Sequence, residues 1–553
     1  MKTLRSICAI TCAISFATHA QVNDTLIEEL IVVGEALDSQ SEGGSRLGLS
    51  VREIPATLDI IDGDMIRNRF DLSVLDVVTR SAGVTGFGNP GNGGTSVSAR
   101  GFTGQDVVTK LYDGNHYFTM AGTITFPFDT WAIESVEVLK GPASVLYGQG
   151  GIGGAYNVIP KSPSEEFDLD ARISLGEEGT SFVGLGATGA LSDSVAARAD
   201  YSRSESDNWV NNGNSETEMI ALGASWEVNE DLTISARYDA GDQSPLRYFG
   251  VPVVDGDFVG DWTDLNLSVD DTRIQYKDAI ARLIADWNVS DNVSFNGEVF
   301  SLDTDRYWQT VETYFFDDST GMIERWDPLI IRHDMEQIGF RGNFVIDSSL
   351  GDMAWKTSVG FQTSRLSLNY ISNFNGSHPN SVDWGADFDT VDPDNFVGGS
   401  WSDVTPSVAA LDQVSDVDQQ AFFAESQLQV TDQLALVAGL RYDSIDTDYE
   451  RLTYDAAGAR DTSVDNSVNQ SVDPLMSRLG FVYDANATTA FYGQYSTGET
   501  HPRGGDIVRV TDSLRESDTV TTRQFEIGVK QLAMNDRLNW YLAYFDINRQ
   551  NML

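Results

Sequence analysis

Apolar and polar residues alternate with a period of two along most of the chain from about Phe167 onward. In residues 195–202, Val195, Ala197, Ala199 and Tyr201 share one face, and Ala196, Arg198, Asp200 and Ser202 share the other. Residues 220–228, 232–239 and 434–443 repeat the pattern. Successive side chains of a β-strand point to opposite sides, so each segment predicts a strand with one apolar and one charged face. A soluble sandwich also alternates, with its apolar face inward. Two further features favour a transmembrane antiparallel β-barrel. Aromatic residues stand near strand ends, as an interfacial girdle requires: Tyr201, Trp226, Tyr238, Trp287, Trp355, Tyr442, Tyr495, Trp540 and Tyr544. Connections also alternate in length. Short polar turns fall at residues 192–194, 229–231, 290–292, 431–433 and 535–537. Long polar stretches, read as loops, fall at 243–277, 303–335, 369–417, 446–473 and 498–522. Short turns at one end and long loops at the other characterise barrels that cross a membrane. About fifteen candidate strands lie between Asp168 and Asn551.

The residues before the alternating region differ in texture. Residues 1–20 read as a secretory signal, with Lys2 and Arg5 ahead of a short apolar run and Thr18-His19-Ala20 closing it. That run is too short to span a bilayer, and no later run reaches 18 apolar residues. Both cysteines, Cys8 and Cys12, fall in the signal, so export would leave a chain without disulfides. Residues 21–50 are polar and read as a flexible lead, interrupted by Leu30-Ile31-Val32-Val33. Residues 51–163 are mixed and glycine-rich.

Composition narrows the function. The chain has 553 residues, and 36 Lys+Arg against 83 Asp+Glu give a net charge of −47, which excludes a nucleic-acid partner. Hydrophobic residues at 41% exclude a disordered acidic tail. Gly148-Gln149-Gly150-Gly151-Ile152-Gly153 fits a dinucleotide fingerprint, but that motif must open a helix. Here a strand ending at Pro160 follows, so the glycines are read as tight turns. His116, His333, His378 and His501 lack metal-ligand spacing and are read as solvated. No hydrolase, P-loop or zinc-protease motif occurs. The acids at 255–257 and 383–394 lack EF-hand spacing and are read as solvated loops.

The whole pattern resembles the TonB-dependent outer-membrane receptors, most closely the ferrichrome-type siderophore group. "ELIVVG" at 29–34 is similar to the TonB box. "VLDVVTRSAGV" at 74–84 is similar to the start of the plug, with Ser81-Ala82 in place of the usual Leu-Pro. "ARGF" at 99–102 and "YDG" at 112–114 follow in the family's order. "VEVLKGPASVLYGQGGIGGAYNVIPKSP" at 136–163 is the most specific stretch. "GLRYD" at 439–443 and "FEIGVK" at 525–530 resemble barrel motifs.

The resemblance implies an α+β plug, residues 51–163, inside a barrel formed from 164–553, in the outer membrane. Full barrels of this kind have about 22 strands. The count of fifteen, ending inside a well-patterned strand, implies a C-terminally incomplete sheet that does not close. It also implies a box at Glu29, Leu30, Ile31, Val32, Val33 and Gly34 that adds as a strand to TonB, itself energised by ExbB and ExbD. A plug–barrel lock maps onto Arg100, Lys140 (where Arg is usual) and Glu526. Ligand contacts map onto Phe87, Asn89, Gln105, Tyr117, Phe118, Tyr248, Trp262, Trp308 and Tyr314. The expected activity is energy-coupled uptake of a ferric siderophore, with no catalytic residue. No cofactor or resident metal is expected, iron entering only as part of the cargo. The alternatives are uptake of cobalamin, haem or an oligosaccharide and, from another class, a passive porin or a secreted β-rich enzyme. Much of the acid is expected in loops and on lumen-facing positions.

Overall fold

A computed structural model describes residues 37–551, apart from 42, 90–93, 103–106, 118–125, 149, 465, 502–518 and 536. The signal, the box at 29–34, Gln105 and Phe118 lie outside the described residues.

The glycine-rich region forms a five-stranded sheet in the order Thr57–Asp62, Ile133–Lys140, Gly154–Pro160, Val108–Tyr112, Asn115–His116. Its pairings are antiparallel except that between Val108–Tyr112 and Gly154–Pro160. Two short helices pack beside it. Asp62 caps Gly63–Arg69 by accepting from the Met65 amide at 2.6 Å. Ser73 and Asp76 form a reciprocal capping box on Val74–Thr79, whose Val77 and Val78 are buried. Residues 37–50 correct the flexible reading of the lead. Leu37, Leu47 and Leu49 are buried in the same cluster as Ile54, Leu58, Leu139 and Leu146. Three leucines in a polar stretch are enough to anchor it.

The glycine motif makes turns, as its sequel Gly154–Pro160 requires. Gly148 and Gly151 have φ of +87° and +65°. A Cβ on Gly151 would stand 2.7 Å from Thr109 Oγ1.

Around this domain runs one sheet from Asp168–Leu175 to Leu538–Gln550. Seventeen strands make it up. Asp389–Val391 only extends the tip of Met322–Leu350. Ser467–Val472 and Leu475–Asn486 pair with successive parts of Leu434–Arg451 and act as one stave interrupted at Pro474. Fifteen staves result. The staves run in barrel order around the inner domain, and their pairings extend from Asp168–Leu175 to Leu538–Gln550; among the described residues none joins these two end strands to each other.

The stretch read as a loop at 303–335 is instead the paired upper part of Val293–Asp317 and Met322–Leu350, joined by a four-residue turn. Alternation continues there, but the outward face becomes charged because the strands have left the bilayer. That change of face hid the strands.

The wall shows where the bilayer ends. Trp226, Tyr238, Trp287, Trp355 and Tyr495 are exposed on the outer face, as are Val299, Ile338 and Leu440. Beyond this band Asp303, Asp305, Asp334, Glu336, Asp416, Asp418, Asp446 and Asp448 face outward, alternating with buried lumen-facing neighbours. Asp303 stands opposite Glu336, Asp416 opposite Asp448 and Asp418 opposite Asp446. Much of the acid therefore decorates the emergent outer wall, in addition to loops and lumen. Phe295 to Val299 and their turn-side neighbours leave a band near the 9–11 residues that one crossing needs.

Candidate functional site

The inner domain meets the wall through polar contacts that fix its seat at three levels. At the first, strand Gly94–Ala99 ends in a tight turn in which the Ala99 and Phe102 amides each donate to the other's carbonyl. Arg100 sits in this turn with φ +53°, a left-handed conformation that costs a non-glycine residue about 1 kcal/mol or more. The turn aims its guanidinium at the wall. Nη1 lies 2.7 Å from Glu526 Oε2 and 2.9 Å from Gln524 Oε1, and the group stacks 4.4 Å from the Phe545 ring. The Arg100 side chain is 5% exposed and that of Glu526 0%. Glu526 also accepts from Thr57 Oγ1 at 2.6 Å, Tyr492 Oη at 2.7 Å and Gln524 Nε2 at 2.9 Å. A buried charge keeps its ionised form only when paired and hydrogen-bonded, and here all requirements are met.

Lys140 does not join that pair. Its ammonium lies 2.9 Å from Asp59 Oδ2, within the inner domain, and touches the Tyr541 hydroxyl and ring on the wall. A lysine is a point charge and reaches one carboxylate, where the planar fork of Arg could have served two.

At the second level the YDG turn, with Asp113 at φ +51° and Gly114 at φ +75°, reaches a cluster of wall charges. Asp113 pairs with Arg282, and Arg341 donates to the Gly114 carbonyl and lies 3.1 Å from Glu298. Asn115 Nδ2 donates to Glu298 at 2.9 Å. Arg46 donates to the Leu146 carbonyl at 3.2 Å; burial, then the nearby Arg341 charge, pushes its pKa down to about 10. The YDG motif at 112–114 carries no assigned role for Asp113 in the sequence. The signal was present, since an acid flanked by a left-handed glycine turn projects outward.

The third level lies at the short-turn end. Glu425 accepts from Ser45 Oγ at 3.0 Å and the Arg46 amide at 2.7 Å. Arg478 pairs with Glu425 and donates to the Gly44 carbonyl at 3.2 Å. Arg52 pairs with Asp484 at 2.7 Å, beside the turn at Asn486. Lys530 donates to the Val51 and Ile54 carbonyls at 2.5 and 2.7 Å. Residues 43–54 are thus clasped to three staves by polar contacts. Backbone carbonyls as partners leave no trace in sequence.

Close approach is built into the wall as well. A Cβ on lumen-facing Gly184 would stand 2.6 Å from the Trp131 ring, and one on Gly480 would stand 2.8 Å from Pro55. Trp131 and Pro55 belong to the inner domain, so these glycines are recesses for it.

The proposed ligand residues fall into two groups. Tyr117 and Trp308 are buried in one cluster, where Tyr117 meets Phe300 edge-on at 5.6 Å. Burial raises the Tyr117 pKa, so its hydroxyl stays neutral. Tyr248, Trp262 and Tyr314 pack among outer loops. Tyr248 and Tyr314 donate to the Thr263 and Val311 carbonyls at 3.1 and 2.7 Å, and Trp262 packs on Phe316. Phe87 and Asn89 lie on strand Val84–Asn89. The histidine reading is corrected. His333 and His501 are buried, His501 lying 2.6 Å from Gln470. The acids at 383–394 serve local turns: Asp383 accepts from Gly385, and Asp392 from Asp394 and Asn395. Among the described residues no group of three or more metal-ligating side chains occurs. No described helix is long and apolar enough to cross a membrane.

An apolar-banded barrel whose lumen is filled by a charge-clasped domain defines a plugged outer-membrane receptor. The chain belongs to the TonB-dependent receptor family. The model of the TonB-dependent receptor plug domain matches residues 50–155, and that of the TonB-dependent receptor-like β-barrel matches 237–553. The ferric-pyoverdine BN7/BN8 receptor of Pseudomonas putida is 22% identical over 93% of this chain and 62% of its own length. The ferripyoverdine receptor of Pseudomonas aeruginosa is 22% identical over 98% of this chain and 65% of its own length. The chain therefore spans less than two thirds of each of these relatives. The crystal structure of the siderophore receptor PiuA of Acinetobacter baumannii has the same fold. It superposes with a TM-score of 0.78 at 16% identity, over 92% of this chain and 75% of that one.

Proposed function

We propose that the protein imports a ferric siderophore across the outer membrane by TonB-dependent active transport. The observation that carries this reading is the filled lumen. A plug held by buried ion pairs at three levels bars passive flow, so cargo passes only when work is done on the plug. Alignment with siderophore receptors along nearly the whole chain favours iron chelates over cobalamin, haem or oligosaccharide. In this reading the box at 29–34 recruits TonB, driven by ExbB and ExbD. Tension on it reaches residues 43–54 first, since these lie between the box and the plug sheet. Glu425, Arg478, Asp484 and Lys530 then form the contacts that yield before the Arg100–Glu526 pair. Nothing in the proposed cycle breaks a covalent bond, so the protein acts as a transporter and not as an enzyme.

The test is growth and iron uptake under iron starvation, with a panel of ferric siderophores, in cells with and without the protein. Loss of uptake for at least one siderophore is expected, and the same loss on deleting residues 29–34. Unchanged uptake of every siderophore, with impaired use of another nutrient, would overturn the proposal.

A further inference from the structure

Four adjacent strands carry a row of laterally paired, lumen-facing residues. Tyr276 stands opposite Arg306, Arg306 opposite His333 and His333 opposite Tyr370. Trp308 lies one lumen-facing position further out. The rings and the guanidinium touch. Arg306 lies 4.9 Å over the Tyr276 ring, Trp308 meets His333 at 4.9 Å, and His333 meets Tyr370 at 5.2 Å. Arg306 lies six positions along the strand from Phe300, where Tyr117 of the plug touches the wall, so the row stands up to about 20 Å of strand beyond that contact. It faces the outer part of the lumen.

The polar atoms of this row are not used up. Tyr276, Arg306 and Trp308 are each at most 1% exposed. Of the side-chain polar atoms of these three residues, Arg306 Nη2 has a partner, Asp278 Oδ2 at 2.7 Å. Arg306 Nε and Nη1, Trp308 Nε1 and Tyr276 Oη have none. Folded proteins leave few buried donors unsatisfied, and a cluster of them demands an explanation. A fold that only needed stability would have placed apolar side chains here. Asp278 Oδ1 beside them is also without a partner, but the orphan atoms of Tyr276, Arg306 and Trp308 share one chemistry. They are N–H and O–H donors, one set cationic, flanked by aromatic faces. Their complement is an oxygen anion borne on an aromatic ring, which accepts from the donors while its ring stacks.

Resting on the siderophore reading above, we infer that this row is a subsite for the aryl oxyanion arms of a catecholate-type iron chelate. An aliphatic hydroxamate chelate presents oxygens but no ring to stack, and its complex lacks the charge that Arg306 would answer. Arg306 is the specificity-determining group, with Tyr276 and Trp308 as further donors.

The test uses the full chain in detergent micelles, titrated with two probes and followed by tryptophan quenching. One probe is the ferric complex of 2,3-dihydroxybenzoylserine, and the other is ferrioxamine B. The wild type is expected to bind the catecholate complex at least about tenfold more tightly, a factor equal to about 1.4 kcal/mol. Arg306→Gln is expected to remove that preference and to leave ferrioxamine B binding unchanged. A second variant, Arg306→Gln with Asp278→Asn, removes both charges, so that no lone carboxylate disturbs folding; it should show the same loss. Equal or tighter binding of ferrioxamine B by the wild type would overturn the assignment of class while leaving siderophore uptake standing. Unchanged catecholate binding in both variants would overturn the location. Binding of haemin or cobalamin with neither chelate bound would overturn the uptake reading itself.

Discussion

Replacing Arg100 by Ala removes one partner of a wholly buried ion pair. Breaking such a pair from one side costs about 3–5 kcal/mol, because the remaining charge is left uncompensated. Glu526 keeps three neutral donors, Thr57, Tyr492 and Gln524, at 2.6 to 2.9 Å. The loss should therefore fall at the lower end, about 3 kcal/mol. The left-handed φ of Arg100 favours neither residue, since alanine is no happier there than arginine. Hydrogen exchange of the strands Thr57–Asp62 and Ile133–Lys140, which flank the pair, reports the local opening free energy. A loss of 3 kcal/mol accelerates their exchange on the order of a hundredfold, at about 1.4 kcal/mol per factor of ten. Glu526→Gln in the same background removes the lone carboxylate and should restore most of the protection. The non-additivity of the two changes measures their coupling. If Arg100→Ala leaves exchange within threefold of wild type, or if the two effects simply add, the pair is not a lock.

Three other outcomes follow from described geometry. Lys530→Met deprives the Val51 and Ile54 carbonyls of a charged donor and should speed proteolysis and exchange at residues 43–56, with a loss of about 1.5–3 kcal/mol; protection equal to wild type would refute the clasp. Glu312, in the emergent hairpin beyond the bilayer band, has its pKa pushed up to about 7 by burial and then by Asp327. Because the folded value lies above the unfolded one, its contribution is fully present below about pH 4.5 and lost as pH rises through about 7, at most about 3 kcal/mol before solvent screening. Exchange at the hairpin tip should accelerate over that window in the wild type and stay flat in Glu312→Gln; equal profiles would refute this. Gly480→Val fills the recess under Pro55 and should lower plug protection without unseating the barrel, so an unchanged plug would show that the recess is slack.

The sequence made the wall legible because a strand with one face in lipid must alternate. It also made Arg100 and Glu526 legible as a resemblance, and the structure brings them together. Lys140 shows the limit. Its place in the motif suggested the same lock, but a shorter reach and Asp59 on the neighbouring strand gave it another partner. The strands within 303–335 were hidden because periodicity was judged by apolarity, and past the bilayer the outer face turns acidic while the alternation persists. Lys530 and Arg478 act on backbone carbonyls, and no side-chain pattern announces a carbonyl.

The outward carboxylates have a consequence for the conditions in which the wall holds together. Asp303 faces Glu336, Asp416 faces Asp448, and Asp418 faces Asp446 across neighbouring strands. Like charges set directly opposite on a sheet repel, and here three such couples work to prise apart the ladders that carry the outer loops. Dissolved ions weaken that repulsion, since the screening distance shrinks from about 30 Å at 0.01 M to about 3 Å at 1 M. The emergent wall should thus tighten as ionic strength rises, opposite to a surface built on attractive pairs. A thermal midpoint that climbs between 0.01 and 0.5 M sodium chloride would mark this as a receptor rim built to be finished by its electrolyte; a falling midpoint would show that the attractive pairs elsewhere dominate.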